Sequence, residues 1–237
     1  MLPKGGWPIS NSSWRREIGA VFRKEAATEL RSKTGLMTAG VFALTTVVTI
    51  ALVFFNKNPN VGPNRDFASA LFWIAITFTA LLGLPRTFLA EEEAGTMDLL
   101  RLMARPHAVF WGKTLYNLAQ MAFIGGFVAA AFLVLVGIEV TNWPLFAVGI
   151  VGGMAALAST VTLCGAIAAP AANRAALAAA IAVPLVLPLV QVLVTATRAS
   201  LGASSAEFGW QSAVGGVGFA ALALSLGPVL FAAMWKP

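Results

Sequence analysis

Long uncharged apolar runs alternate along this chain with short polar connections, and six of the runs are long enough to cross a bilayer. A helix rises about 1.5 Å per residue, so roughly 20 residues traverse a hydrocarbon core ~30 Å thick. The first run covers about 36–55 and is closed by Asn56-Lys57-Asn58-Pro59-Asn60; the second covers about 67–84 and stops at Pro85-Arg86. The third begins after Lys113 and reaches Gly137. Between Glu139 and Arg174, Asn142-Trp143-Pro144 and Pro170 trim a longer uncharged stretch to one span, about 145–169. The fifth run covers about 175–197 and the sixth about 212–235, after a loop from Arg198 to Gln211 with room for a short interfacial helix.

Ahead of the first run the pattern changes. Trp14, Ile18, Val21, Phe22, Ala26 and Leu30 recur at steps of three and four, while Arg15, Arg16, Arg23, Lys24 and Arg31 fall on other faces. That spacing predicts an amphipathic helix, capped by Ser12 or Ser13 and supported by a Glu29/Lys33 pair. Its expected place is the cytoplasmic leaflet, with the basic face on anionic headgroups and the stripe in the acyl boundary.

Composition agrees with a membrane protein. Of 237 residues 58% are apolar and only 11% charged, too little polar surface to cover a globule in water. The +6 net charge therefore reads as topology. With the N-terminus inside, the cytoplasmic segments hold 13 Lys and Arg and the external ones three, Lys57, Arg65 and Arg198. Trp111, Trp143, Trp210 and Trp235 fall near proposed span ends, where indoles favour headgroups. The basic start and the sequence Phe54-Phe55-Asn56 after the first run argue for a retained signal anchor and against a cleaved signal peptide. An RNA-binding arm is set aside because a span follows the basic helix within three residues, so the expected partner is lipid and not nucleic acid.

Candidate chemistry is sparse. One cysteine, Cys164, and one histidine, His107, cannot supply a zinc site or a Ser/His hydrolase. No metal or catalytic site is expected, and no proposed span carries the ionisable residues typical of proton-driven carriers. Gly112-Lys113-Thr114 ends like a phosphate loop, but His107 stands where that motif needs glycine. Lys113 is expected to snorkel at the membrane edge. If ATP drives the protein, another subunit binds it.

The most distinctive connection, 86–113, is placed in the cytoplasm. It contains Glu91, Glu92 and Glu93, then Gly95, Thr96 as a candidate N-cap, Asp98, and a two-turn helix bearing Leu99, Leu100, Leu102 and Met103. Arg101 and Arg105 suit its C-terminal end and Pro106 is expected to stop it. Such leucines need cover, either a partner's groove or the membrane surface, and both readings stand on physics alone. Pro184 and Pro188, one turn apart, predict a kinked fifth span, whether hinge or static bend. Gly149 and Gly153 suit close helix contact.

The acidic cluster, Gly95-Thr96-Met97-Asp98-Leu99-Leu100, the Arg105-Pro106 break and Gly112-Lys113 resemble the cytoplasmic loop of ABC-2 type exporter membrane subunits. A narrower resemblance rests on Phe22-Arg23-Lys24-Glu25, on Ala168-Ala169-Pro170-Ala171-Ala172-Asn173-Arg174, on Val183-Pro184-Leu185-Val186-Leu187-Pro188-Leu189-Val190, and on Ala196-Thr197. These are similar to the CcmB family, the haem exporter permease subunit of the cytochrome c maturation system.

The resemblance implies an all-α polytopic fold: a cytoplasmic N-terminus with an elbow helix, residues 1–35, then a six-span domain, 36–237, in the bacterial inner membrane. It implies a non-catalytic permease that couples a separate ABC ATPase to haem delivery or to release of a haem-loaded chaperone. Glu91 to Met103 would form the ATPase-coupling segment. The implied partners are that ATPase, a haem-handling membrane subunit, a small membrane subunit, an external haem chaperone and a second copy of this chain. ATP and haem would be held by partners, with no cofactor on this chain. An ABC-2 exporter of lipid, glycan or drug, and a structural assembly subunit without energy coupling, remain as alternative readings. Topology is checked by labelling single cysteines: Asn60→Cys and Gly202→Cys are expected to react from outside and Gly95→Cys from inside. An external Gly95 would invert the assignment.

Overall fold

A computed structural model describes residues 14–55 and 64–235. Lys4, Ser12, Ser13, Lys57, the 56–60 turn and Lys236 lie outside those residues. Among the described residues the elements are helices only: α1 (Trp14–Ser32), α2 (Thr34–Phe55), α3 (Arg65–Gly83), α4 (Arg86–Glu93), α5 (Met97–Met103), α6 (Pro106–Val136), α7 (Trp143–Ala168), α8 (Arg174–Ser200) and α9 (Ala206–Met234). Six stretches are long and apolar enough to span: α2, α3 continued by α4, α6, α7, α8 and α9. The chain is an all-α, multi-pass membrane protein.

Several boundaries differ from the sequence reading, each for a local reason. The second span does not end at Pro85. Proline lacks the N–H that a continuing helix needs, so the chain pauses and resumes as α4, whose Phe88 and Leu89 amides bond to the Pro85 carbonyl. The short helix α5 does end before Pro106, and Pro106 also opens the next helix, because the first helical turn has no use for the missing N–H. Residues 86–113 are therefore not one loop: 86–93 extend the second span, 106–113 open the third, and only α5 and its flanks connect them. Likewise α9 begins at Ala206, and 198–211 holds no separate interfacial helix.

Asn64 and Asn142 cap α3 and α7 through side-chain oxygens, and Gly137 closes α6 in the left-handed conformation at φ 68°. Arg198 pairs with Asp66 at 2.7 Å where α8 ends near the start of α3.

The most enclosed span is α7, and its small residues explain why. A methyl on Gly153 would overlap the Trp73 ring, and one on Gly152 would lie 2.8 Å from Val217 Cγ2. Gly149 faces Ala196. The glycine face thus lets α3, α8 and α9 close on α7. Trp73, fully buried, donates from Nε1 to Thr197 Oγ1 at 2.8 Å, and packs edge-on to Phe72, which meets Phe132. α8 is assigned as one helix through Pro184 and Pro188, both on its exposed side.

The amphipathic α1 uses its stripe differently from the expectation. Val21 is buried against Gly112 of α6, where even a methyl would be 2.6 Å from Val21 Cβ, and Phe22 meets Tyr116 edge-on. Trp14 and Leu30 alone of the large stripe residues stay exposed. The stripe is therefore divided between a protein contact and an open surface. At the end of α1 the backbone turns through Lys33 at φ 56°, and Glu29 accepts from the Leu36 amide at 2.6 Å instead of pairing with Lys33.

Gly95 and Gly202 have φ values of 63° and 80°, conformations costly for cysteine, so the neighbouring exposed Ala94 and Ser204 are the sounder labelling positions. Gly153→Ala is expected to lower stability by about 1–3 kcal/mol, the range for overpacking a tight core. Thermal unfolding in detergent measures it, with Gly126→Ala, which meets open space, as the neutral comparison.

Candidate functional site

Two turns into α6, Lys113 is completely buried. An isolated ammonium there would be destabilised by several kcal/mol, so its surroundings must supply charge and acceptors. Glu25 Oε1 of α1 lies 2.6 Å from Nζ, Glu91 Oε1 of α4 lies 3.3 Å away, and the Thr87 carbonyl accepts the third bond. An ammonium has three protons, and each meets an oxygen. The Phe88 ring centroid stands 5.2 Å from the same nitrogen. Lys24, next to Glu25 on α1, also pairs with Glu91 Oε1. Two lysines and two glutamates balance, which keeps the cluster neutral.

Lys113 was expected to snorkel. Its Nζ instead points inward, because α1 and α4 close over this side of α6 and offer carboxylates nearer than water. Lys24 occupies the rim; partial burial, with Lys113 beside it, pushes its ammonium below the ordinary lysine value. The signal available in the sequence was small. A helix begun at Pro106 places Lys113 and Asn117 on one face, but nothing local points to Glu25, which is 88 residues away.

One turn further along α6, buried Asn117 secures the break in the second span. Leu84 O loses its helical partner because the Phe88 amide bonds to Pro85 O instead. Asn117 Nδ2 takes up that carbonyl at 3.0 Å, and it also reaches Thr87 Oγ1 at 3.2 Å and Thr162 Oγ1 of α7 at 2.8 Å. The sequence reading missed Asn117, Thr87 and Thr162 altogether.

The acidic cluster divides by direction. Glu91 faces the network and is buried, Glu92 is half-buried, and Glu93 is exposed. The second Glu91 oxygen, Oε2, accepts from Thr96 Oγ1 at 2.5 Å, and the Thr96 amide bonds to the Glu91 carbonyl at 2.9 Å. Thr96 stands at the N-cap position of α5 but its hydroxyl does not cap that helix. Gly95, left-handed, permits the reversal that turns Thr96 back to Glu91. Glu91 therefore joins α1, α4, α6 and the start of α5.

The leucine helix is divided as well. Leu100 packs with Met97 against Phe88, Val109, Phe110 and Phe231. Leu99, Leu102 and Met103 are 56%, 86% and 75% exposed. Asp98 pairs with Arg101 at 2.9 Å, and Arg105 reaches Glu17 of α1 at 3.5 Å. Between α1 and α5 runs an apolar groove of about 340 Å³, floored by Val21 and Leu100 and walled by Ala20, Leu99 and Met103. Pro184 and Pro188 lie on α8 and contribute nothing to this cluster.

Lys113→Met is expected to destabilise the protein by about 3–5 kcal/mol, because it leaves two buried carboxylates with Lys24 as their one remaining cation. Adding Glu25→Gln, which leaves Glu91 for Lys24, should restore most of the loss. Thermal unfolding of the purified variants in one detergent tests both; a double variant no better than the single one would show that charge balance is not the cause.

A family model described as CcmB protein matches residues 16–235, from α1 to the end of α9. The protein named Heme exporter protein B from Bradyrhizobium diazoefficiens is 29% identical over 89 residues, 38% of this chain and 39% of that protein. The aligned segment thus spans well under half of the relative. The family match, in contrast, takes in all six spans and every residue of the Lys113 network, and on that extent the chain belongs to the CcmB family.

Proposed function

We propose that this chain is the membrane subunit of a haem-export complex for cytochrome c maturation, coupling ATP hydrolysis in a separate subunit to haem delivery or to release of a haem-loaded chaperone. Family membership and the name of the Bradyrhizobium relative support the haem-export part. The observation that carries the coupling part is α5. It turns Leu99, Leu102 and Met103 outward while Glu91 and Leu100 bind it to the bundle.

Force applied by the ATPase to the exposed face of α5 would be delivered through Thr96 and Glu91 to α4 and hence to the second span. Through Lys113 it would reach the third span, and through Lys24 and Glu25 the elbow helix. Pro184 and Pro188, on the exposed side of α8, are the proposed hinge at which the fifth span yields. Haem is the substrate of the complex, and its ligation is assigned to the partner subunits. The excess of basic residues on one side supports a topology with both termini and α5 on the cytoplasmic side of a bacterial inner membrane.

The structural division among the leucines refines the test. Leu102→Ser with Met103→Ser alters only exposed side chains, and is expected to release the ATPase and abolish c-type cytochrome formation at unchanged membrane abundance. Leu100→Ser removes an inward contact and is expected to lower thermal stability first. Co-purification of the ATPase at matched abundance is the measurement. Full ATPase binding by the double serine variant would assign that face to lipid and end the coupling proposal.

A further inference from the structure

On a different face of α4 from Glu91, a furrow of about 230 Å³ separates the second span from α8. Leu81, Leu82 and Leu89 form one wall and Ala175, Ala178 and Ala179 the other. The furrow exists because α8 opens with alanines, too short to fill the gap left where the second span pauses at Pro85. Arg86, exposed, stands in its lining at the end of the bundle that carries α1 and α5. Arg174 lies one helical turn before Ala178, on the same side of α8. Among the described residues no carboxylate is within ion-pair distance of either arginine. The Asn173 side chain does not cap α8, so the leading amides of that helix add partial positive charge at the same place.

An apolar furrow with one unneutralised arginine in its lining and a second opening the helix that forms its other wall suits a ligand with an oily body and an anionic head. We propose that it binds one anionic phospholipid from the leaflet on that side of the membrane, with its phosphate between Arg86 and Arg174 and an acyl chain along Leu82 and Ala179. Guanidinium groups match phosphate oxygens by paired hydrogen bonds, and basic pockets between spans hold anionic headgroups in this way. A zwitterionic lipid would set its own cation beside the arginines. The bound lipid would bridge the second and fifth spans. The proposal is independent of the ATPase reading, since it uses neither α5 nor the Lys113 network.

The test uses the full chain in nanodiscs of phosphatidylcholine doped with phosphatidylglycerol, followed by native mass spectrometry of the released protein. One retained phosphatidylglycerol per chain is expected. Arg86→Gln with Arg174→Gln should reduce retention roughly tenfold or more. Ala179→Trp, which fills the furrow without touching charge, should reduce it as far. Arg15→Gln with Arg23→Gln, on the exposed side of α1, should leave it unchanged. Equal loss in the α1 variant, or full retention in Ala179→Trp, would mean adsorption to a basic surface and overturn the site. Retention of phosphatidylcholine to the same extent would do so too. Displacement by inorganic phosphate would identify a free-anion site instead, and displacement by added haem would identify cargo; either result ends the lipid proposal.

Discussion

An ammonium group without water around it fixes this molecule's architecture on one side. Lys113 has no solvent access, so the fold must bring oxygen atoms to it, and they come from elements far apart in the chain. Glu25 draws α1 onto α6. Glu91 and the Thr87 carbonyl require the second span to resume after Pro85, since both belong to the continuation and not to the span itself. Replacing such a buried ion cluster by well-packed apolar groups is often neutral or favourable in stability. What the network supplies is register: a slip of α1 by one residue would carry Glu25 off the face that meets Lys113.

Below that level the bundle is held by shape. Trp73 spends its single donor on Thr197, and the glycine face of α7 lets three helices approach closely. Lipid offers helices no hydrophobic reason to associate, so close packing and the rare interhelical hydrogen bond must do so. Asn117 stands between the two regimes. It reaches the carbonyl freed at Pro85 and the Thr162 hydroxyl of α7 together, so the ionic layer and the packed core share one side chain.

The spans were legible because a bilayer imposes length and apolarity on every crossing segment, and those constraints are written in consecutive residues. Their ends were less so. Pro106 reads as a stop, and α5 does end before it, but the same proline is also a favoured first-turn residue and opens α6. The ionic site was not legible. Its pairs join residues 22, 67 and 88 positions apart, and neither glutamate differs in sequence from a solvated surface charge. Glu91, Glu92 and Glu93 are identical letters with three different exposures, decided by rotation about α4. Leu99 and Leu100 are likewise adjacent, yet one is exposed and the other half-buried.

That last division bears on how α5 acts. Seven residues cannot hold a helix by themselves, because nucleation is unfavourable and so few bonds follow it. The position of α5 is therefore set from outside: Leu100 and Met97 seat it on the aromatic cluster, Thr96 binds it to Glu91, and Arg105 ties its far end to α1. The attachments lead to α4, to the aromatic cluster and to α1, so α5 is not a free loop. Moving it must either break the Thr96 contact to Glu91 or shift α4, and shifting α4 disturbs the charge balance at Lys113. In the proposed coupling, a short helix that is weak alone but anchored at both ends would transmit a displacement instead of absorbing it.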